Sequence, residues 1–210
     1  MDTIPAHLDH IVLATPDLAA TVAEFARRTG VSPAPGGVHL GHGTRNHLVG
    51  LGGCAYLEIL GPDPDQPAPD GPRPFGVDGL AAARTLTWAI SPPDLDGTVA
   101  AARAGGYDPG DVRDMSRRRP DGTLLRWRLT DGGRPHPSGL VPFLIDWGGA
   151  PHPSASGLPV TPLLELRATV PDPDELRPLL ALLGTGLVLD EGPAAFSFTV
   201  DTPNGPVAFS

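Results

Sequence analysis

The amino-acid sequence predicts an α+β fold built from three βαβββ-like units. The main observation is an internal repeat, because three helix-start signals centred on Pro16, Pro93 and Pro171 lie 77 and 78 residues apart. Nearly equal steps of this length indicate a repeated structural unit. The second observation is the large number of turn-forming residues, 27 glycines and 27 prolines. Together with the recurring apolar runs, they indicate many short elements joined by tight turns.

Each helix-start signal follows an apolar strand candidate. In the first signal, Thr15 can cap the helix, Pro16 suits the first helical position, and Asp17 faces the positive end of the helix dipole. The pattern recurs at residues 91–95 and, with a weaker cap, at residues 170–172. The glycines that then end the three helix candidates are Gly30, Gly105 and Gly184.

Three short strand candidates follow each helix candidate. They lie at residues 36–40, 44–51 and 54–60 in the first unit, 112–117, 123–130 and 140–147 in the second, and 186–190, 195–201 and 206–210 in the third. The sheet of a single unit has one exposed face, so two units are expected to pair and bury it. We therefore predict a pair of units over residues 1–158 and a third, shortened unit over residues 159–210 packed on that pair.

The composition excludes several classes of protein. The net charge of −9 argues against a nucleic acid or an anionic membrane as partner, because both require clustered positive charge. All fifteen basic residues are arginine, so Schiff-base chemistry on a lysine is excluded. The one cysteine cannot form an intramolecular disulfide, and the first 30 residues lack the pattern of a signal peptide. We expect a cytoplasmic protein.

Four stretches of the chain carry a resemblance to a known family. LDHIVLATPDL, YLEILGPDP, RRRPDG and PFLIDW occur in this order, and over residues 6–158 the chain resembles the glyoxalase-like proteins of the vicinal oxygen chelate superfamily. The resemblance implies paired βαβββ units whose curved mixed sheets enclose a pocket, with the helices on the outside. It also implies a small-molecule substrate or ligand, and a homodimer.

The resemblance further implies where a metal ion would bind. Many members hold one divalent metal through residues on the first and last strands of both paired units. The matching positions are His10 and Glu58 in the first unit, and Thr87 and residues 145–146 in the second. Thr87 is not a usual metal ligand, so the set is incomplete. A zinc, nickel, manganese or iron ion bound by His10 and Glu58, and no metal at all, both stay open.

His10 and Glu58 are also the catalytic candidates. Each is a polar residue inside an apolar strand, LDHIVLA and AYLEIL. A buried carboxylate is costly unless it is paired, coordinated or protonated, which favours a pocket position for Glu58. It could act as a ligand or as a general base with His10 as its partner. The alternative for His10 is a hydrogen-bonded histidine of the core.

Three further polar residues are candidates for binding a substrate. His39 lies on a strand that leads toward the pocket, and could be a ligand or a proton shuttle. Arg119 could hold a substrate carboxylate with its planar guanidinium, or could be a surface charge beside a turn. His152 lies in a His-Pro-Ser loop that could close over the pocket.

Two kinds of function that use a pocket fit this reading, and a structural or assembly role, with His10 and Glu58 as hydrogen-bonded core residues, is the alternative to both. The first is an enzyme acting on a small oxygenated molecule, of the lyase, isomerase or dioxygenase type. The second is a protein that binds or sequesters a small molecule, such as an antibiotic, without changing it. In either case the pocket is expected to be lined by Trp88, Trp127 and Tyr56.

Overall fold

The chain forms two β-sheets, one of them closed into a barrel. The computed structural model describes residues 4–119, 121–130 and 136–210, so Pro120 of the RRRPDG motif lies outside the described residues. Eight strands form the closed barrel, and the last four strands form a separate sheet. The predicted α+β class, with curved mixed sheets around a pocket and helices outside, is confirmed.

The order of elements repeats in three successive units. The first unit contains β1 (Leu8–Ala14), α1 (Leu18–Thr29), β2 (Ala34–His39), β3 (Thr44–Gly52) and β4 (Ala55–Pro62). The second contains β5 (Arg84–Ile90), α2 (Leu95–Ala104), β6 (Val112–Arg118), β7 (Leu124–Thr130) and β8 (Phe143–Asp146). The third contains β9 (Leu163–Val170), α3 (Arg177–Leu182), β10 (Val188–Glu191), β11 (Ala195–Val200) and β12 (Val207–Phe209).

The first two units form equivalent halves of the barrel. The strand order around the barrel is β1-β4-β3-β2-β6-β7-β8-β5. In each half the first strand pairs in parallel with the last, as β1 does with β4 and β5 with β8. The halves join through two antiparallel pairs, β1 with β5 and β2 with β6. Each strand of the barrel therefore has a neighbouring strand on both sides.

The third unit has the same order of elements but a different pairing of strands. Its sheet runs β10-β9-β11-β12, so the first strand, β9, lies between β10 and β11 instead of beside the last strand. This sheet packs on the outside of the barrel. Phe209 stacks on Phe25 of α1 at 4.9 Å between ring centroids, and Arg28 donates a hydrogen bond to the carbonyl of Ala208. The division of the chain at residues 158 and 159 stays a prediction.

The helices begin later than the sequence pattern predicts. Asp17, and not Thr15, is the N-cap of α1, where its carboxylate accepts a hydrogen bond from the Ala20 N–H. Thr15 instead accepts a hydrogen bond from the Asp17 N–H. Asp94 caps α2 in the same way. The aspartates act as the N-caps because their carboxylates reach the free N–H groups of the first helical turn.

The barrel wall separates two apolar clusters. Side chains alternate along each strand, so Val12 and Leu60 point into the barrel while Ile11 and Leu57 point outward. The outer cluster is covered by the helices and by the third sheet. None of the helices in the described part of the chain is long and apolar enough to cross a membrane. The inner cluster lines the space in which the candidate site lies.

Candidate functional site

A central cavity lies inside the barrel. It contains about 550 Å³ of empty space, including its opening to solvent. Most of its wall is apolar or aromatic, as in many small-molecule sites. The polar side chains that line it are His10, His39, His42, Thr44, Asn46, Glu58 and Arg117. All but His42 are buried.

Four of these side chains form a polar band that extends from β1 over β4 and β3 to β6. Glu58 on β4 lies between His10 on β1 and Asn46 on β3. The Nε2 atom of His10 is 3.8 Å from Oε2 of Glu58, and Asn46 donates a short hydrogen bond to Oε1. Arg117 on β6 donates to Oδ1 of Asn46 at 3.0 Å. The band therefore places a carboxylate, an imidazole and a guanidinium in one buried site.

Asp9 contacts the Nδ1 side of the His10 imidazole, opposite the Nε2 atom that faces Glu58. Its Oδ1 lies 2.6 Å from Nδ1 of His10, and its Oδ2 is 3.0 Å from both Trp147 Nε1 and His152 Nε2. Burial alone would raise the pKa of Asp9, but the hydrogen bonds and positive charges of His10 and His152 lower it to about 2. An ionised carboxylate only accepts hydrogen bonds, so Nδ1 of His10 carries a proton. In neutral His10 the free lone pair is therefore at Nε2, on the side of Glu58.

His39 and Tyr56 remain uncharged near neutral pH. Burial lowers the pKa of His39 to about 4, although the charge of Glu58 opposes this shift. His39 Nδ1 lies 3.1 Å from the Thr44 hydroxyl, and its Nε2 lies 3.7 Å from Oε1 of Glu58. Burial, assisted by the charges of Asp9 and Glu58, raises the pKa of Tyr56. Tyr56 stacks on His10 with 4.8 Å between ring centroids.

We expect His39 to make the protein less stable as the pH falls from about 6.5 to 4. The unfolded chain binds a proton at this histidine near pH 6.5, whereas the folded chain binds it near pH 4. The unfolded state therefore holds more protons in this interval, and the free energy of unfolding decreases by up to about 3 kcal/mol. Urea denaturation at a series of pH values measures this change. His39→Gln should reduce the slope, His42→Gln should retain it, and equal slopes in both variants would contradict the assignment.

The described side chains do not fit the four-ligand metal site that the resemblance implies. His10 and Glu58 supply two ligand positions from the first half of the barrel. In the second half, Thr87 occupies the position equivalent to His10, while on β8 Ile145 lines the cavity and Asp146 does not. Thr and Ile are not usual ligands for these metals. Within the described ranges, no group of three or more His, Cys, Asp or Glu side chains is arranged to hold a metal ion.

We expect the purified protein to retain less than about 0.1 metal ion per chain, because two protein ligands do not make a tight site. The measurement is elemental analysis after equilibration with zinc, nickel, manganese or iron and removal of free metal. His10→Ala and Glu58→Ala should give the same low values as the wild type. Near-stoichiometric metal in the wild type that is lost in both variants would show that these residues are ligands.

The structure brings most of the sequence-predicted site residues together. Those that line the central cavity are His10, Glu58, His39, Tyr56 and Trp127. His152 lies beside this group rather than in the cavity wall, where it contacts Asp9 and the edge of the Tyr56 ring. The loop that carries His152 is therefore attached to the site through Asp9.

Trp88 and Arg119 are not brought to the cavity. Trp88 points outward from the barrel into the outer apolar cluster, where its indole donates to the Leu140 carbonyl. It is fully buried there, so the expectation that it lines the pocket is wrong. Arg119 lies beyond the end of β6 and donates to the Ser156 hydroxyl, outside the cavity wall. Arg117 lies inside instead, because it is an inward position within β6, whereas Arg119 follows the last residue of the strand, Arg118.

Sequence reasoning missed Asp9, Asn46, Arg117 and Trp147. The signal for Arg117 and Asn46 was present, because both lie at inward positions of strands that the sequence predicts. No local pattern indicates that Asp9 meets Trp147, since these residues are far apart in the chain. Their contact depends on the way in which the barrel closes.

Two paired βαβββ units around a cavity with a buried carboxylate define a glyoxalase-like protein. The model of the glyoxalase-like domain family matches residues 8–184, which is most of the chain. The protein belongs to this family, within the vicinal oxygen chelate superfamily.

Three solved structures illustrate the similarity of this chain to known proteins. A hypothetical protein from Staphylococcus aureus has a TM-score of 0.61 and 14% sequence identity, with 98% of this chain and 85% of that chain covered. Methylmalonyl-CoA epimerase from Mycobacterium tuberculosis has a TM-score of 0.43 and 19% identity, with coverage of 74% and 96%. A Streptomyces coelicolor methylmalonyl-CoA epimerase in complex with 2-nitronate-propionyl-CoA has a TM-score of 0.41 and 24% identity, with coverage of 66% and 95%. No curated protein matches the chain.

Proposed function

We propose that the protein is an enzyme that transfers a proton on a small oxygenated molecule held in the central cavity. The observation that carries this proposal is the hydrogen bonding of the two Glu58 carboxylate oxygens. Its Oε1 accepts a hydrogen bond from Asn46, whereas Oε2 has no hydrogen-bond partner among the described residues. A buried carboxylate oxygen that faces a cavity is suited to act as a general base.

The proposed reaction removes a proton from a carbon next to a carbonyl group. The C–H bond breaks, Glu58 Oε2 takes the proton, and the electron pair moves onto the carbonyl oxygen as an enolate. Return of a proton to the other face of this carbon, or, in a hydroxy ketone, to the former carbonyl carbon after a proton moves between the two oxygens, completes an isomerisation. His10 Nε2, 3.8 Å from this oxygen, offers a second site for the proton, and Asp9 stabilises the imidazolium that would form.

A binding protein without catalysis is the second candidate function. It is favoured by the aromatic walls of the cavity, which offer large apolar contact areas to a ligand. The aromatic residues that line the cavity are Tyr56, Phe75, Trp127, Phe143 and Trp147. The two functions differ in whether the bound molecule is changed. A homodimer and a cytoplasmic location stay predictions.

Proton exchange in heavy water tests the proposed function. The probes are small 2-oxo acids, 2-oxo amides and hydroxy ketones, and proton NMR follows the replacement of hydrogen by deuterium next to the carbonyl group. We expect the wild-type protein to accelerate exchange in at least one class. If a probe binds, as judged by changes in its NMR signals, and no probe exchanges faster than in buffer, the binding-protein function is favoured and the enzymatic proposal is wrong.

A further inference from the structure

We infer that Arg117 and Trp127 form a subsite for a carboxylate group, and that the substrate is a small 2-oxo or 2-hydroxy monocarboxylic acid. This inference rests on the proposed function and names its class of substrate. Both residues lie on the second half of the barrel and line the central cavity that also contains Glu58. The subsite would hold the acid group while Glu58 acts on the neighbouring carbon.

Arg117 is a buried cation without a counter-ion in direct contact. Its exposed fraction is 3%, and Asn46 Oδ1 is its single hydrogen-bond partner in the described part of the chain. Within residues 4–119, 121–130 and 136–210, no carboxylate lies within 4.0 Å of its guanidinium. A buried charge is stabilised when an opposite charge pairs with it. The planar guanidinium matches a carboxylate with two parallel hydrogen bonds.

The fold makes room for the Arg117 side chain. β2 lies between β6 and β3, so the guanidinium must pass over β2 to reach Asn46. Gly36 occupies the crossing point. A Cβ atom there would lie 2.6 Å from Arg117 Nη1 and 2.2 Å from Asn46 Oδ1, distances that a side chain cannot adopt. The absence of a side chain at Gly36 therefore permits the Arg117 guanidinium to lie in the interior of the barrel.

Trp127 supplies a second hydrogen-bond donor on the same wall. Its indole is 8% exposed, it lines the cavity, and its Nε1 atom is buried with no hydrogen-bond partner among the described residues. Trp127 pairs with Met115 across β6 and β7, one inward position along the strand from Arg117. A buried N–H group without a partner is costly. An oxygen atom of the ligand, next to the acid group or in it, would satisfy this donor.

The charges of the cavity select the class of ligand. One guanidinium and one neutral N–H group match a single negative charge, whereas a phosphate dianion would lack a second cation. Apolar side chains, including Leu129, Phe143 and Ile145, cover much of the remaining wall and favour an apolar tail. In the polar band, Glu58 lies beyond Asn46 from Arg117, because Asn46 hydrogen-bonds to both side chains. A carboxylate at Arg117 would therefore direct the neighbouring carbons toward Glu58.

A pair of probes that differ only in charge tests the subsite. The acid is 2-oxo-4-phenylbutanoate, and its uncharged match is 2-oxo-4-phenylbutanamide. Calorimetric titration of the wild-type protein should give at least about 10-fold tighter binding of the acid. Arg117→Met should reduce the affinity for the acid by at least about 10-fold and change the affinity for the amide by less than about 3-fold. Trp127→Phe should reduce the affinity for the acid by about 3-fold or more.

Control variants separate charge from general damage to the fold. Arg126 is exposed on the outer side of β7, so Arg126→Met should leave both affinities unchanged. Arg117→Lys retains the charge and should recover part of the affinity for the acid. Equal binding of acid and amide, no binding of the acid at up to about 10 mM, or an equal loss in the Arg117→Met and Arg126→Met variants would overturn the inference.

Deuterium exchange at C3 of the same probes distinguishes failure of the subsite from failure of the proposed function. Binding of the acid that depends on Arg117, without exchange, supports the subsite and contradicts the enzymatic proposal. Exchange of acid and amide at equal rates supports proton transfer by the cavity and overturns the subsite.

Discussion

Glu58→Gln is expected to slow proton exchange by about 10²- to 10⁴-fold, the range typical of a lost general base. Glutamine has nearly the same volume, and its side-chain oxygen can still accept the hydrogen bond from Asn46. Its NH₂ group, however, would replace Oε2, the oxygen that we propose takes the proton. The measurement is the rate of deuterium incorporation into the probe that the wild-type protein exchanges fastest.

Two controls accompany the Glu58→Gln variant. Its affinity for an uncharged probe should stay within about 3-fold of the wild type, because the shape of the cavity is retained. Glu175→Gln, which changes an exposed carboxylate in the third unit, should retain the full rate. A wild-type rate in Glu58→Gln would remove Glu58 from the mechanism.

Asp9→Asn is expected to reduce both the exchange rate and the stability of the protein. Asp9 accepts hydrogen bonds from His10, Trp147 and His152, and its charge keeps the proton of neutral His10 on Nδ1. An asparagine has one acceptor oxygen and one NH₂ group. The NH₂ group would face at least one of these donors and leave it without an acceptor. We expect the rate to fall by about 10²- to 10⁴-fold and the free energy of unfolding by about 2–3 kcal/mol.

The pH dependence of stability gives an independent test of Asp9. Its pKa is about 2 in the folded protein and about 3.9 in an unfolded chain. The unfolded state therefore binds a proton first as the pH falls. The stabilisation from Asp9, about 3 kcal/mol, is present above pH 4 and is lost as the pH falls toward 2.

Asp9→Asn should lack this loss between pH 4 and 2, and Asp70→Asn, which changes an exposed aspartate, serves as the control. Asp9 is a positioning residue, so the pH profile of exchange in Asp9→Asn should change in shape as well as in height. An unchanged profile together with wild-type stability would contradict its role. A loss of stability alone would assign it a structural role only.

The fold and half of the polar band could be predicted from local patterns. Alternation of side chains along AYLEIL places Tyr56 and Glu58 on one face, and the same rule on LDHIVLA places His10 on the face that lines the cavity. The rule also explains the error for Trp88, because the cavity-facing residues of β5 are its neighbours, such as Ala89. Aromatic character alone does not indicate the face of a strand.

The choice between neighbouring arginines required the strand register. Arg117 lies within β6 and points inward, while Arg119 follows the end of the strand. Both have the residue type suited to a carboxylate, and they lie in one run of three arginines. Only the pairing of β6 with β2 and β7 shows which side chain enters the cavity.

The sequence by itself determined the order of elements in the three units, the turns between them and the polar residues inside apolar strands. These properties depend on residues close together in the chain, through propensity, capping and the two-residue period of strands. Tertiary structure decided that β9 pairs with β10 and β11, that Asp9 meets Trp147, and that Arg117 reaches Asn46 across Gly36. These contacts join distant residues, and barrel closure and strand register bring them together.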